Sequence, residues 1–267
     1  KNRLELILLA FGAALGMSII LETGVKSLFG APFRSDTLVW SWVALSAAAG
    51  LFFIGRNARR QGTIRENGRP EKRRLLSMAA VSLAAVAVLT PKLFWENFNL
   101  DGMEAFEFGR SLTNHVLPHW DIQGGAFGFY HNFVLFAYPN HWFIALFGPV
   151  EGAVRLPYIL YAVLLFAVLV LLVEHGSARL LRGVEEAALW LGLALFSVVQ
   201  IYNTTYDPFF SDMSEPGATD TLLLVCFLSA CFFIWSHRLR FFLVFAALTY
   251  LATVGGSALL LALAATV

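Results

Sequence analysis

Residues 154–173 read VRLPYILYAVLLFAVLVLLV, and this stretch determines the class of fold. Arg155 is its only charged residue, and about 20 mainly apolar residues are what a helix needs to cross the hydrocarbon core of a bilayer. Six further apolar runs follow or precede it, at 4–21, 37–54, 75–93, 187–201, 221–235 and 241–263. The pattern predicts an all-α integral membrane protein with about seven transmembrane helices.

The composition agrees with this class. Apolar residues make up 58% of the chain and charged residues 14%, whereas soluble domains contain about half and about a quarter. A net charge of +1 gives no reason to expect nucleic acid as a partner. Cys226 and Cys231 lie in one apolar run, which favours small buried residues over a disulfide or a metal pair.

The last apolar run of the chain, 241–263, supports two expectations. The chain opens on Lys1, and its last apolar run reaches almost to Val267 without a polar flank, so we expect more protein to follow. Gly255-Gly256-Ser257 interrupts the run 241–263. We favour a close helix contact made by these small residues over a local break.

The basic residues predict the orientation. The segment 55–74 carries eight lysines or arginines against two glutamates, so it should be cytoplasmic. Topology signalling or contact with anionic lipid explains this run better than a nucleic-acid patch does. The same side then receives the other basic positions, namely Lys1, Arg3, Arg179, Arg182 and the sequence His237-Arg238-Leu239-Arg240. We therefore predict a cytoplasmic N-terminus.

The opposite, external face receives residues 22–36 and two loops, 95–153 and 202–220. Between residues 96 and 141 the first loop holds five carboxylates, one arginine and four of the chain's six histidines. His115 and His119 have a spacing that suits a metal on a helix, but Pro118 would end or kink that helix. For each of the four histidines (His115, His119, His131 and His141), an interfacial or hydrogen-bonded role is favoured over that of a metal ligand.

A helix is predicted to begin near Asp101. Glu104, Glu107 and Arg110 recur every three residues and share one face, and the apolar residues between them suggest that the helix lies along the membrane surface. Asp101 and Glu104 have the spacing of a capping box, with Asp101 as the N-cap of the helix. On spacing alone this structural interpretation is favoured. The alternative is that Asp101 is a general base and that its acidic neighbours bind a cation.

The second external loop brings further carboxylates to the same membrane face. Asp220 precedes an apolar run, which suits the N-cap of the next helix. Carboxylates crowded at a low-dielectric boundary either gain proton affinity or hold a cation.

Two sequences in the first loop resemble the first external loop of GT-C glycosyltransferases: LDGMEAFEFGRSL (100–112) and LPHWD (117–121). The family's later segments have counterparts in YPNHW (138–142) and in RLP (155–157), which opens the next span. That superfamily includes protein O-mannosyltransferases and the transferases that add aminoarabinose to lipid A. The second loop, with Asp220 leading into an apolar helix, is similar to the family's second acidic motif. The likeness implies a GT-C-like core over 75–267, preceded at 1–74 by two extra helices and the basic loop. Gly102 stands where the family has a second acid, so Glu104 or Glu107 would have to supply it.

The resemblance implies transfer of a sugar from a polyprenyl-phosphate donor to an acceptor hydroxyl on the external face of a bacterial inner membrane. It makes Asp101 the general base, with Glu104 and Glu107 as further catalytic candidates. The substrate-binding candidates are Arg110, His141, Arg155 and Asp220, and the candidate ligands of a divalent metal are Asp101, Glu104 and Asp220.

A non-catalytic subunit of the same fold, acting as scaffold for partner membrane proteins, is the alternative to a transferase. A transporter fits less well, because few ionisable residues fall in the middle of the predicted spans.

Overall fold

A computed structural model describes residues 3–29, 76, 79–80, 83–84, 87, 100–113, 135–176, 192, 217–252 and 254–265. Helix α1 (Arg3–Ser18) continues through a π-helical segment (Ile19–Val25) into the short α2 (Lys26–Phe29). The later helices are α3 (Leu100–Ser111), α4 (Ala137–Phe147), α5 (Glu151–Gly176), α6 (Gly217–Trp235), α7 (Leu239–Ala252) and α8 (Val254–Ala264). The predicted all-helical class is confirmed for the residues described.

Two of these helical stretches, Leu4–Leu28 and Leu156–His175, are long and apolar enough to cross a membrane. Thr221–Trp235 and Leu239–Ala252 are shorter apolar helices. At a rise of about 1.5 Å per residue, the first stretch extends about 37 Å, slightly more than the hydrocarbon core. The predicted span 37–54 and the basic segment 55–74 lie outside the described residues, as do most of 75–93 and 187–201.

Six positions within the run 75–93 are described, and all six are helical and exposed. They are 76, 79, 80, 83, 84 and 87, and Leu76 and Leu83 are 70% and 71% exposed.

Helix α1 packs between α5 and α7. Phe11 meets Tyr161 of α5 edge to face, with 6.5 Å between ring centroids. On α7, Glu5 pairs with Arg238 just before the helix begins, and Gly12 lies against the ring of Phe245. Glu5 and Gly12 are seven residues apart, and so are their partners Arg238 and Phe245, in the same order along the chain. Helices α1 and α7 therefore run parallel.

Helices α5 and α6 run in the opposite direction to α1. The last turn of α5 meets the last turn of α6, where His175 Nε2 lies 3.2 Å from the carbonyl oxygen of Trp235. The chain then turns at His237, whose φ of 56° lies in the left-handed region, and enters α7. Large side chains fill the space between these helices, including the fully buried Phe166, Phe233 and Phe245.

The apolar run 241–263 forms two helices. Gly256 of α8 lies against the carbonyl of Thr249 in α7 and close to the side chain of Leu223 in α6. Seven residues of continuous helix would separate positions 249 and 256 by about 10 Å, so the chain changes direction between α7 and α8. The predicted close contact at Gly256 is therefore present. The alternative, a break in the helical run, is present as well.

The helices define two ends. At the Arg238 end lie the N-terminus of α1, the C-termini of α5 and α6, and the turn at 236–238. Glu5 is buried there and pairs with Arg238. The charge pattern predicts that Arg3 and Arg238 share one side, and the structure brings their segments together. At the Glu22 end lie the π-helical segment, α3, α4 and the first turns of α5 and α6.

Candidate functional site

The most polar buried feature of the described structure is a carboxylate–imidazole pair at the Glu22 end. His141 Nδ1 lies 2.6 Å from Glu22 Oε2, and the two side chains are 0% and 2% exposed. An ionised carboxylate can only accept, so Nδ1 donates when Glu22 is charged. Removing a charge from water is costly unless a partner compensates for it. This short bond provides that compensation and joins the end of α1 to α4.

Two neutral hydrogen bonds flank the pair. Thr23 Oγ1 and the Tyr138 hydroxyl are 2.6 Å apart. Trp142 Nε1 donates to Ser18 Oγ over 2.8 Å. Burial raises the pKa of the Tyr138 hydroxyl, and the nearby Glu22 carboxylate contributes more weakly in the same direction, so this tyrosine stays neutral.

The π-helical segment gives these side chains their common direction. Ser18, Glu22 and Lys26 are four residues apart, and in an α-helix each such step would rotate the side chain by about 40° around the axis. A π turn closes with an i→i+5 hydrogen bond and so contains more residues, which offsets that rotation. The three side chains, with Thr23, can then reach the same group of helices.

Lys26 extends the contact to α3. Its side chain is buried, and its ammonium group donates to the carbonyl of Leu112, the residue that follows the last turn of α3. The C-terminal end of a helix carries partial negative charge on carbonyls without intrahelical donors, and a cation stabilises it. Lys26 therefore both satisfies this carbonyl and attaches the end of α3 to α2.

Helix α3 packs closely on α4. A Cβ atom at Gly109 would lie 2.9 Å from Asn140 Cβ and 3.0 Å from Ile144 Cδ1, so the two helices touch at a position where only glycine fits. Phe108 meets Phe136 edge to face at 5.9 Å. Phe108 is one of the apolar residues from which a helix along the membrane surface was predicted, and it is buried against protein.

The predicted acidic helix is confirmed as α3, which begins at Leu100. The favoured prediction that Asp101 is the N-cap is therefore wrong, because Asp101 falls in the first helical turn, where the helix dipole stabilises a carboxylate. Glu107 and Arg110 share a face as predicted, with 4.0 Å between their closest charged atoms. The Arg110 guanidinium is exposed and lies 5.9 Å from the centre of the Phe106 ring.

Two further candidates lie near the starts of long helices. Arg155 belongs to the start of α5, and Asp220 to the start of α6. Helix α6 begins at Gly217, so the prediction that Asp220 is the N-cap is wrong: the helix starts three residues earlier, and Asp220 lies inside its first turn. Helix direction places both starts at the Glu22 end. Positions 155 and 220 therefore lie at the same end of the molecule as α4 and the C-terminal half of α3.

Several predicted site groups fall outside the described part of the structure. These are the side chains of Asp101, Glu104, Arg155 and Asp220, the histidines His115, His119 and His131, and the second loop as far as residue 216. Among the residues that are described, no group of three or more His, Cys, Asp or Glu side chains could hold a metal ion. The proposed metal set stays a prediction.

Sequence reasoning missed Glu22 and Lys26, which the structure makes central. Their spacing of four residues would usually indicate a surface pair along one helix. The available signal was the position of Glu22 directly after an apolar run, where an ionisable side chain needs a partner. For His141, the favoured hydrogen-bonded state agrees with the bond to Glu22, and the prediction that it binds substrate stays untested.

No protein-family model, curated protein or solved structure matches this chain. The likeness to GT-C glycosyltransferases accordingly rests on the residues quoted from the two external loops.

Proposed function

We propose that this chain is the membrane portion of a glycosyltransferase that moves a sugar from a polyprenyl-phosphate donor to an acceptor hydroxyl. The observation that carries the proposal is the gathering of α3 and the first turns of α5 and α6 at the Glu22 end. These are the segments whose residues resemble GT-C motifs, and each lies at the end of the apolar helix bundle. A lipid-linked phosphate would lie at that depth in a bilayer.

Membrane insertion is part of the proposal. The continuous helical stretch Leu4–Leu28 and helix α5 have the length and hydropathy to span a bilayer. Helices α6 and α7, with the apolar runs 37–54, 75–93 and 187–201, would complete a set of about seven. Exposed apolar side chains such as Leu243 and Leu261 support the same arrangement, because lipid would cover them.

In the proposed reaction, Asp101 accepts the proton of the acceptor hydroxyl as that oxygen bonds to the anomeric carbon. The bond between that carbon and the donor phosphate oxygen breaks, and the lipid phosphate leaves with the electron pair. Arg110 or Arg155 stabilises the growing negative charge, as guanidinium groups do for phosphates. Glu107 contacts Arg110 and would orient it. Glu104 or Glu107 replaces the acid that is absent at Gly102.

The first prediction concerns Asp101→Asn, which should abolish transfer while leaving expression and folding intact, because the amide cannot accept the proton. The assay measures transfer from radiolabelled polyprenyl-phosphate hexoses and pentoses by the purified protein in proteoliposomes. Ser27→Ala, an exposed change near the same end, serves as the control and should keep full activity. Normal transfer by Asp101→Asn would remove Asp101 as the base.

A second candidate function is a non-catalytic subunit that keeps this helical arrangement as a scaffold for other membrane proteins. Two observations favour it: Gly102 replaces the expected second acid, and His141, a substrate-binding candidate, is fully buried and pairs with Glu22. Purification in mild detergent distinguishes the two. Stoichiometric partner chains, together with no transfer from any donor tested, would support the scaffold.

A further inference from the structure

We infer that the N-terminal helix is a working part of the external site, and that Lys26 is a positioning residue for α3, the helix that carries Asp101. This inference rests on the proposed function, because it assigns a role in holding the proposed base. It goes beyond the sequence resemblance, which covers residues 75–263 and treats the N-terminal helices as an addition.

The first step is the contact itself. Lys26 is 2% exposed, and its ammonium group reaches the Leu112 carbonyl, 86 residues away in sequence. A lysine is almost never fully buried unless its charge is compensated. Here the carbonyl end of α3 provides compensation, so the position of α3 and the burial of Lys26 depend on each other.

The second step is that the C-terminal half of α3 packs on α4. Gly109 allows the two backbones to approach, and the buried Phe108 packs on Phe136. Helix α4 is in turn joined to the π-helical segment through the bonds of His141 to Glu22 and of Tyr138 to Thr23. The segment 22–26 therefore holds both loop helices, α4 directly through two side chains and α3 through Lys26.

The third step is that a small tilt of α3 displaces Asp101. From Leu112 back to Asp101 the helix extends about 16 Å, so a tilt of about 4° at the Lys26 contact would move the Asp101 backbone by about 1 Å. A displacement of about 1 Å can cost a hundredfold in rate when a catalytic group must be aligned with its substrate. Lys26 would thus influence the turnover rate more than donor binding, although it touches neither substrate.

The test compares Lys26→Met, which removes the charge and keeps the length, with Lys26→Arg, which retains a cation that can donate to the carbonyl. Ser27→Ala, one residue away and exposed, is the matched control. Hydrogen exchange followed by mass spectrometry reports on the backbone of 100–113, with the α7 backbone at 239–252 as an internal reference. Steady-state transfer in proteoliposomes gives kcat and KM separately.

We expect Lys26→Met to speed exchange in 100–113 but not in 239–252, and to lower kcat ten- to a hundredfold with less than a threefold change in KM. Lys26→Arg should recover most of both. If the Met variant does not accumulate, Lys26→Gln, which keeps a neutral donor, should show the same loosening to a smaller degree. Wild-type exchange and wild-type kcat in Lys26→Met would overturn the inference.

The two proposals fail in distinguishable ways. An inactive Asp101→Asn beside a fully active Lys26→Met with unchanged exchange would refute the positioning role and leave the transferase standing. Absence of transfer by the wild-type protein, with selective loosening of α3 in Lys26→Met, would refute the transferase and support the attachment of α3 by Lys26.

Discussion

At the Arg238 end, helix α1 is joined to the turn before α7 by the pair of Glu5 and Arg238, whose arginine side chain is 39% exposed. At the Glu22 end the same helix reaches α4 and the end of α3 through Ser18, Glu22, Thr23 and Lys26, and the Glu22–His141 pair is almost fully buried. Water reaches part of the Arg238 side chain, whereas both side chains of the second pair are shielded from it. The comparison indicates that the N-terminal helical stretch makes more of its described polar contacts with other helices at the Glu22 end than at the Arg238 end.

The largest expected effect comes from breaking the buried pair. Glu22→Ala leaves Nδ1 of the buried His141 without its acceptor and also opens a cavity, so the loss should be about 3 kcal/mol or more. Unfolding of the purified protein by SDS titration in bicelles measures the loss. Glu107→Ala removes a carboxylate that lies 4.0 Å from an exposed arginine, so it is the control and should cost about 1 kcal/mol or less. Equal losses in the two variants would contradict the comparison.

A smaller effect is expected from forcing α3 away from α4. Gly109→Ala puts a methyl group where Asn140 Cβ and Ile144 Cδ1 already lie, and overpacking of this kind costs about 1–3 kcal/mol. Gly24→Ala, in the π-helical segment, meets no atom within 4 Å and is the matched control. The same unfolding titration compares them. An unchanged midpoint in Gly109→Ala would mean that the two helices are not in close contact.

The smallest effect is expected at the other end. Arg238→Gln removes the charge that faces the buried Glu5, but the glutamine amide can still donate a hydrogen bond to the carboxylate. The loss should therefore be smaller than that of Glu22→Ala, about 1–2 kcal/mol. A loss as large as that of Glu22→Ala would show that the two ends are equivalent.

The sequence predicts those parts of the molecule that depend on local pattern. The apolar run at 154–173 becomes the long helix α5, and the three-residue spacing of Glu104, Glu107 and Arg110 becomes α3. The distribution of basic residues predicts that Arg3 and Arg238 share a side. Hydropathy and periodicity are properties of neighbouring residues, so these features can be inferred without knowing which helices pack together.

The remainder depends on contacts between distant residues. Glu22 and His141 are 119 residues apart, and Lys26 and Leu112 are 86 apart, so no local pattern contains either contact. The turn between α7 and α8 depends in the same way on Thr249 and Leu223, which only the folded structure brings to Gly256. The error at Asp220 has another cause, since helix starts inferred from sequence are uncertain by two or three residues.

The central claim is that α1 crosses the membrane and carries the Glu22 end to the external face, and cysteine labelling tests it most directly. The native Cys226 and Cys231 are buried, so they should not react with a membrane-impermeant maleimide. Single variants Ser27→Cys, at an exposed position of the Glu22 end, and Leu239→Cys, 61% exposed at the Arg238 end, are labelled in right-side-out vesicles. Ser27→Cys should react at once, and Leu239→Cys only after permeabilisation. Reaction of both before permeabilisation, or the reverse order, would contradict the claim.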